Sequence, residues 1–159
     1  MKNRNEKTNV MRILDIKGIE YRSFCYADTG IVAGTEVADF LKEDPQCVFK
    51  TLVTRGSSNS YYVFAVPVSG ELNLKKAALA VGEKSISMIK SKELLPLTGY
   101  VHGGCSPVGM KKQFVTVFDI SAGNFDRIYF SAGKIGYQVQ VALKDIEKII
   151  PLRLADIKE

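Results

Sequence analysis

The apolar residues of this 159-residue chain come in short runs, none longer than a β-strand requires. The principal runs cover 48–54, 61–68, 115–119, 126–131 and 138–141, with Gly, Pro, Ser and Asn in the segments between them. A membrane-spanning helix needs roughly 20 consecutive apolar residues, so these runs read as strands of a folded domain. A further strand is expected over 20–26, where residue types alternate, and a short extended piece over 85–89. Helical spacing appears elsewhere. Val10, Ile13 and Leu14 recur behind Thr8 and Asn9, which can cap, and Gly18 closes that helix. Thr35 is expected to cap a helix over 36–42, and 74–81 reads as a helix ended by Gly82. Residues 92–95 form one turn before Pro96, and 144–149 form the terminal helix. Runs 48–54 and 61–68, joined by a polar loop, predict a hairpin, as does the strand and turn over 129–136. Without regular βαβ alternation, the pattern predicts one mixed α/β (α+β) domain over 8–159, with 1–7 frayed.

Composition agrees with that reading. Hydrophobic residues make up 46%, close to the globular average of about 45–50%, so a sizeable core can form. Lys and Arg outnumber Asp and Glu by 22 to 17. That balance speeds encounter with polyanions without identifying one. Three cysteines, Cys25, Cys47 and Cys105, are an odd number without paired spacing. The polar start Met-Lys-Asn-Arg-Asn-Glu-Lys has no apolar signal region. A cytoplasmic protein with reduced thiols, not associated with a membrane, is expected.

Three clusters could carry chemistry. The densest runs from Thr98 to Lys112 and contains Gly99, Gly103, Gly104 and Gly109. Glycines let a backbone approach a ligand closely and turn N–H groups toward an oxyanion or carbonyl. The Gly104-to-Gly109 separation suits a nucleotide P-loop, but Met110 and Lys112 stand where Lys and Ser or Thr should be. His102 is the only histidine, and no set of convergent ligands accompanies it, so neither a metal nor a cofactor is expected. Nothing near His102 and Cys105 orients them as a nucleophilic pair. The second cluster, Phe49-Lys50-Thr51-Leu52, sets a lysine inside an apolar strand, where it is either a solvated edge charge or an anion-binding group in a cleft. The third, Ser131-Ala132-Gly133-Lys134, delivers a serine to a turn.

Taken in order, these motifs resemble the YbaK/EbsC family, free-standing relatives of the editing domain inserted in bacterial prolyl-tRNA synthetases. The likeness rests on Phe49-Lys50-Thr51-Leu52, Leu74-Lys75-Lys76-Ala77, Thr98-Gly99-Tyr100, Gly103-Gly104-Cys105-Ser106-Pro107, Gly109-Met110-Lys111-Lys112 and Ser131-Ala132-Gly133-Lys134. It extends from about Lys7 to Ile150, and its pattern matches the YbaK branch, the Cys-tRNA(Pro)/Cys-tRNA(Cys) deacylases.

The resemblance implies a twisted, partly closed mixed sheet flanked by helices. It implies an aminoacyl-tRNA deacylase that clears Cys-tRNA(Pro), with prolyl-tRNA synthetase as a partner. By the same resemblance Lys50 is the essential lysine and Gly103 approaches the aminoacyl group. Tyr26, Thr51, Gly104, Ser106 and Ser131 complete the substrate site. The substrate's own cysteine thiol would attack its ester, which fits a chain lacking a Ser-His-Asp set. Two departures stand out. Ala33 replaces an aromatic residue common before the glycine of the second helix, and Ile135 replaces a common arginine. Deacylation of another small amino acid such as alanine, and a non-catalytic module binding tRNA or a synthetase, are the alternative readings.

Overall fold

The computed structural model describes residues 7–159, so all but Lys7 of the expected frayed segment 1–7 lies outside the described residues. The chain builds two sheets. A three-stranded antiparallel sheet has the order β1 (Tyr21–Cys25), β7 (Tyr137–Ala142), β6 (Arg127–Ser131). A five-stranded mixed sheet has the order β4 (Ile86–Met88), β2 (Phe49–Gly56), β3 (Tyr61–Pro67), β5 (Val115–Asp119), β8 (Leu152–Ala155). Both expected hairpins form, β2 with β3 and β6 with β7. β5 runs parallel to β3, and β8 runs parallel to β5. Among the described residues one isolated parallel bridge, Val48 to Tyr129, joins the two sheets. This is the mixed α/β architecture expected, with the strands divided between two sheets.

The main core lies between the sheets. Phe49, Val53, Val63 and Phe118 from one sheet meet Ile128, Phe130, Val139 and Val141 from the other. Helix α1 (Asn9–Ile16) closes this core with Val10, Met11 and Leu14, and Thr8 caps it by accepting from the Met11 N–H. Within β3 the four residues Val63, Phe64, Ala65 and Val66 are all buried. Val63 and Ala65 face the main core, whereas Phe64 and Val66 pack with Ala77 and Ala78 of helix α3 (Leu74–Val81). Both faces of this strand are covered, which is why its sequence is a continuous apolar run with no alternation.

Four local expectations are corrected. Helix α2 (Gly34–Leu41) starts earlier than expected: Ala33 is its N-cap, and Thr35 lies inside its first turn. Its first intrahelical bond, Val37 N–H to Ala33 O, is already in place there. Helix α4 (Ser91–Thr98) runs through Pro96. Beyond the proline, Thr98 donates its hydroxyl to Leu94 O and Gly99 donates its N–H to Leu95 O, so the last turn stays bonded. The last helix, α5 (Leu143–Ile146), is shorter than expected, because tighter bonds from Lys148 to Asp145 and from Ile149 to Ile146 take over. It is not the terminal element. β8 follows it, and buried Asp119 secures the tail by accepting from the N–H groups of Ile157 and Lys158.

Candidate functional site

The site arises where β2 changes partners. On the edge opposite β3, β2 is bridged to Tyr129 at Val48 and pairs with β4 only over Thr54–Gly56. Val48 O accepts from Val68 N–H, and Gly56 N–H donates to Ser60 O, so even-numbered residues turn their backbone groups toward β3. Odd-numbered residues turn the other way, as the bond from Ile89 N–H to Val53 O shows. The peptide groups of Thr51 therefore face a gap in which β2 has no strand partner. A cavity of about 610 Å³ opens there, within the range of small-ligand sites.

Because the cavity lies on a strand edge, it meets both faces of β2. Lys50 lies on the face of Leu52, and Thr51 on the face of Phe49 and Val53; all of them line the cavity. Lys50 places its ammonium 3.3 Å from Glu71 Oε1, and Glu71 is itself largely exposed. The Thr51 hydroxyl oxygen is buried with no hydrogen-bond partner. From the other sheet come Tyr26, Ser131 and Gln138. Tyr26 follows β1 and is buried, its N–H donating to Gly136 O at 2.7 Å. Burial pushes its phenol above the usual range, and the hydrogen bond from Gln138 pulls the other way. Ser131 and Gln138 are register partners across β6 and β7. Ala33, Gly34 and Thr35 at the start of α2, and Lys90 and Ser91 at the start of α4, complete the rim.

The glycine-rich bend reaches the same cavity through His102, Gly103 and Cys105. Tyr100 anchors it by donating its hydroxyl to Val108 O at 2.5 Å, and Thr98 Oγ1 accepts from Tyr100 N–H. Gly103 has φ +87°, a left-handed conformation that a side chain would strain. Thus Lys50, Gly103, Tyr26, Thr51 and Ser131 all meet around one space.

Two expected contacts do not. Gly104 and Ser106 are buried and are not among the lining residues. Gly104 lies against the backbone of Lys134 and Ile135, with no room for a side chain. The Ser106 hydroxyl accepts from Val108 N–H and so shapes the bend from inside. Both residues hold the wall from behind.

Cys105 lines the cavity, but burial pushes its thiol up to about 12, so it stays protonated at neutral pH and is a poor nucleophile. Among the described residues no group of three or more His, Cys, Asp or Glu is arranged to hold a metal ion, and no helix is long and apolar enough to cross a membrane. What the arrangement offers is two lysines, Lys50 and Lys90, several hydroxyls and the partnerless edge of β2 around a partly apolar space. Such a set can bind and orient an ester and stabilise charge on its carbonyl oxygen. Sequence reading missed Glu71 and Gln138. Gln138 could have been found by counting the register of the expected hairpin from Ser131. Glu71 carries no local signal.

Comparison with known proteins gives a consistent picture. The model of the aminoacyl-tRNA editing domain matches residues 31–149. The chain is 38% identical over 157 residues to EbsC of Enterococcus faecalis, a candidate Cys-tRNA(Pro)/Cys-tRNA(Cys) deacylase, covering 98% of this chain and 96% of that protein. Over 108 residues it is 29% identical to a proline–tRNA ligase of Kosmotoga olearia, covering 68% of this chain and 18% of the ligase. Among solved structures, a candidate trans-editing enzyme for prolyl-tRNA synthetase matches with a TM-score of 0.82 and 22% identity, covering 97% of this chain and 99% of that one. The hypothetical protein APE2540 matches with a TM-score of 0.87 and 20% identity, covering 96% and 100%. At these identities the two structures show likeness of fold.

Proposed function

Because the chain belongs to the aminoacyl-tRNA editing domain family, we propose that it is a free-standing deacylase that removes cysteine wrongly attached to tRNA(Pro). The observation that carries this reading is the meeting of Lys50 and the Gly103 bend at one cavity. An aminoacyl ester is already activated, so positioning and charge stabilisation can supply the catalysis. Lys50 exchanges its exposed partner Glu71 for the sugar–phosphate of the terminal adenosine. The exchange is inexpensive, because an ion pair with so exposed a carboxylate contributes only about 0–1 kcal/mol. The start of α2 lines the same rim, and Ala33 makes no side-chain cap there; free N–H groups of a first helical turn favour an anion. Gly103 and neighbouring amides hold the ester carbonyl, an effect of about 2.7–4 kcal/mol per well-placed donor. Tyr26, Thr51 and Ser131 frame the amino-acid end.

The nucleophile is the substrate's own thiol. Its sulfur attacks the ester carbonyl, a C–S bond forms, the ester C–O bond breaks, and the thiol proton passes to the departing ribose oxygen. Two features favour this route: the protonated state of Cys105, and the absence of any other lining thiol among the described residues. Holding the two reacting groups of one substrate together can lower a barrier by about 7–11 kcal/mol. Prolyl-tRNA synthetase is the proposed partner, presenting the acceptor end and supplying tRNA selectivity.

The test is ester loss from Cys-, Ala-, Ser- and Pro-tRNA(Pro) with purified protein. Acceleration confined to the cysteinyl ester is expected, with Lys50→Ala reducing the rate at least about tenfold, as loss of one charged contact implies. Decay of Cys-tRNA(Pro) at the buffer rate would remove the function. Full activity in Lys50→Ala would remove the lysine's role.

A further inference from the structure

Gln138 is a lining side chain whose burial and bonding the proposed chemistry leaves unused. It is only 7% exposed, yet it lines the cavity. Its amide Nε2 donates to the Tyr26 hydroxyl at 3.4 Å, and its Oε1 is buried without a partner. A buried carbonyl oxygen lacking a donor is unfavourable, so its persistence at a cavity wall marks a place where a ligand donor fits. Thr51 Oγ1 is a second buried, unpartnered oxygen, carried by a β2 residue that lines the same cavity. Two cavity-lining residues therefore carry buried oxygens without a donor, in addition to the Lys50 cation.

We infer that Gln138 Oε1, with Thr51 Oγ1, accepts hydrogen bonds from the α-amino group of the esterified amino acid, making Gln138 a residue that reads a free α-amine. This rests on the deacylase reading above. The nucleotide end supplies phosphates and hydroxyls for Lys50, and the ester carbonyl takes the amides of the bend. At the amino-acid end of the substrate the α-amino group is the strong N–H donor, charged or neutral, and a thiol donates too weakly to substitute for it. Gln138 is the register partner of Ser131 and touches Tyr26, two residues already assigned to the amino-acid end. The site consequently favours unmodified aminoacyl esters over N-blocked or deaminated ones.

The experiment compares two stable amide analogues of the aminoacyl end. One is 3′-deoxy-3′-(cysteinylamino)adenosine, and the other is the same compound with a 3-mercaptopropanoyl group, which lacks only the amine. Their affinities are measured by calorimetry on wild type, Gln138→Leu and Gln138→Glu, alongside deacylation of Cys-tRNA(Pro) by wild type. Wild type should bind the amine-bearing compound about tenfold to a hundredfold more tightly. Gln138→Leu should bring that ratio near one, and Gln138→Glu, which keeps an acceptor, should preserve it. A wild-type ratio near one, a ratio unchanged in Gln138→Leu, or no binding of either compound would overturn the assignment. If Gln138 instead reads a ribose hydroxyl, or turns its NH₂ into the cavity, removing the amine costs nothing, and that outcome also overturns it. Failure of the function itself is read separately, as unaccelerated decay of Cys-tRNA(Pro).

Discussion

Gly104→Ala tests how the wall of the cavity is built. A Cβ placed on Gly104 would stand 2.9 Å from Ile135 N, 3.2 Å from Lys134 C and 3.4 Å from Lys134 Cα, all of them backbone atoms. Carbon contacts settle near 3.5 Å, so the bend and the 133–136 turn must part by roughly 0.5 Å. No side-chain rotation relieves the clash. Overpacking of this kind costs about 1–3 kcal/mol, read as a lower urea midpoint at unchanged m-value. The same displacement moves the Gly103 amide, and misplacement approaching 1 Å can cost about a hundredfold in rate. We expect deacylation to fall by about ten- to a hundredfold. Gly103→Ala is the useful contrast. Its φ of +87° brings backbone strain of about 1–2 kcal/mol. Its Cβ would meet Val32 Cγ1 at 2.9 Å, but Val32 is half exposed and can swing aside. Wild-type unfolding and turnover in Gly104→Ala would refute the close approach of the two segments.

Three further outcomes follow from the same geometry. Cys105→Ala should deacylate Cys-tRNA(Pro) within a few-fold of wild type, since a thiol held near 12 supplies no thiolate; loss of turnover together with a rate-controlling ionisation near pH 8 would reinstate it as a nucleophile. Asp119→Ala should loosen the C-terminal strand, because burial raises that carboxyl's pKa but the bonds from Ser121 and the tail outweigh it and keep it ionised. Hydrogen exchange over 152–158 should quicken, with a global loss of about 1.5–3 kcal/mol for the charged hydrogen bonds; unchanged exchange there would count against the tether. Glu83 accepts from the hydroxyls of Ser58 and Tyr62, which hold its pKa at about 2 against an ordinary 4.5. A lowered carboxylate stabilises the fold fully above pH 4.5 and loses that contribution as pH falls toward 2. Acid titration of Glu83→Gln should therefore be flatter in that window, and an identical slope would show that the cluster is not coupled to folding.

Much of the local structure was legible because it depends on neighbours in sequence. α1 was readable from Thr8 and Gly18, α3 from its spacing and Gly82, and the two hairpins from apolar runs around polar turns. Lys50 and Thr51, Gly103, and Ser131 were legible as motifs, although the three motifs belong to different parts of the chain. β8 was not legible, since four residues with two leucines become a strand only when β5 lies alongside and Asp119 holds the tail. The same holds for the lengths of α4 and α5, where tertiary and end contacts outweighed a proline signal and an apolar spacing.

What the sequence by itself determined is most of the elements, β8 excepted, and the residue types available for chemistry, because helix caps, turn residues and apolar periodicity act over a few positions. Only the tertiary structure decided that β2 loses its neighbour between Val48 and Thr54, and so which groups meet in the opening. That gap comes from two sheets diverging along one strand, a relation among segments up to 80 or so residues apart in the chain that no local pattern encodes. It is also what turned Gly104 and Ser106 into supports behind the wall and brought Gln138 to its face.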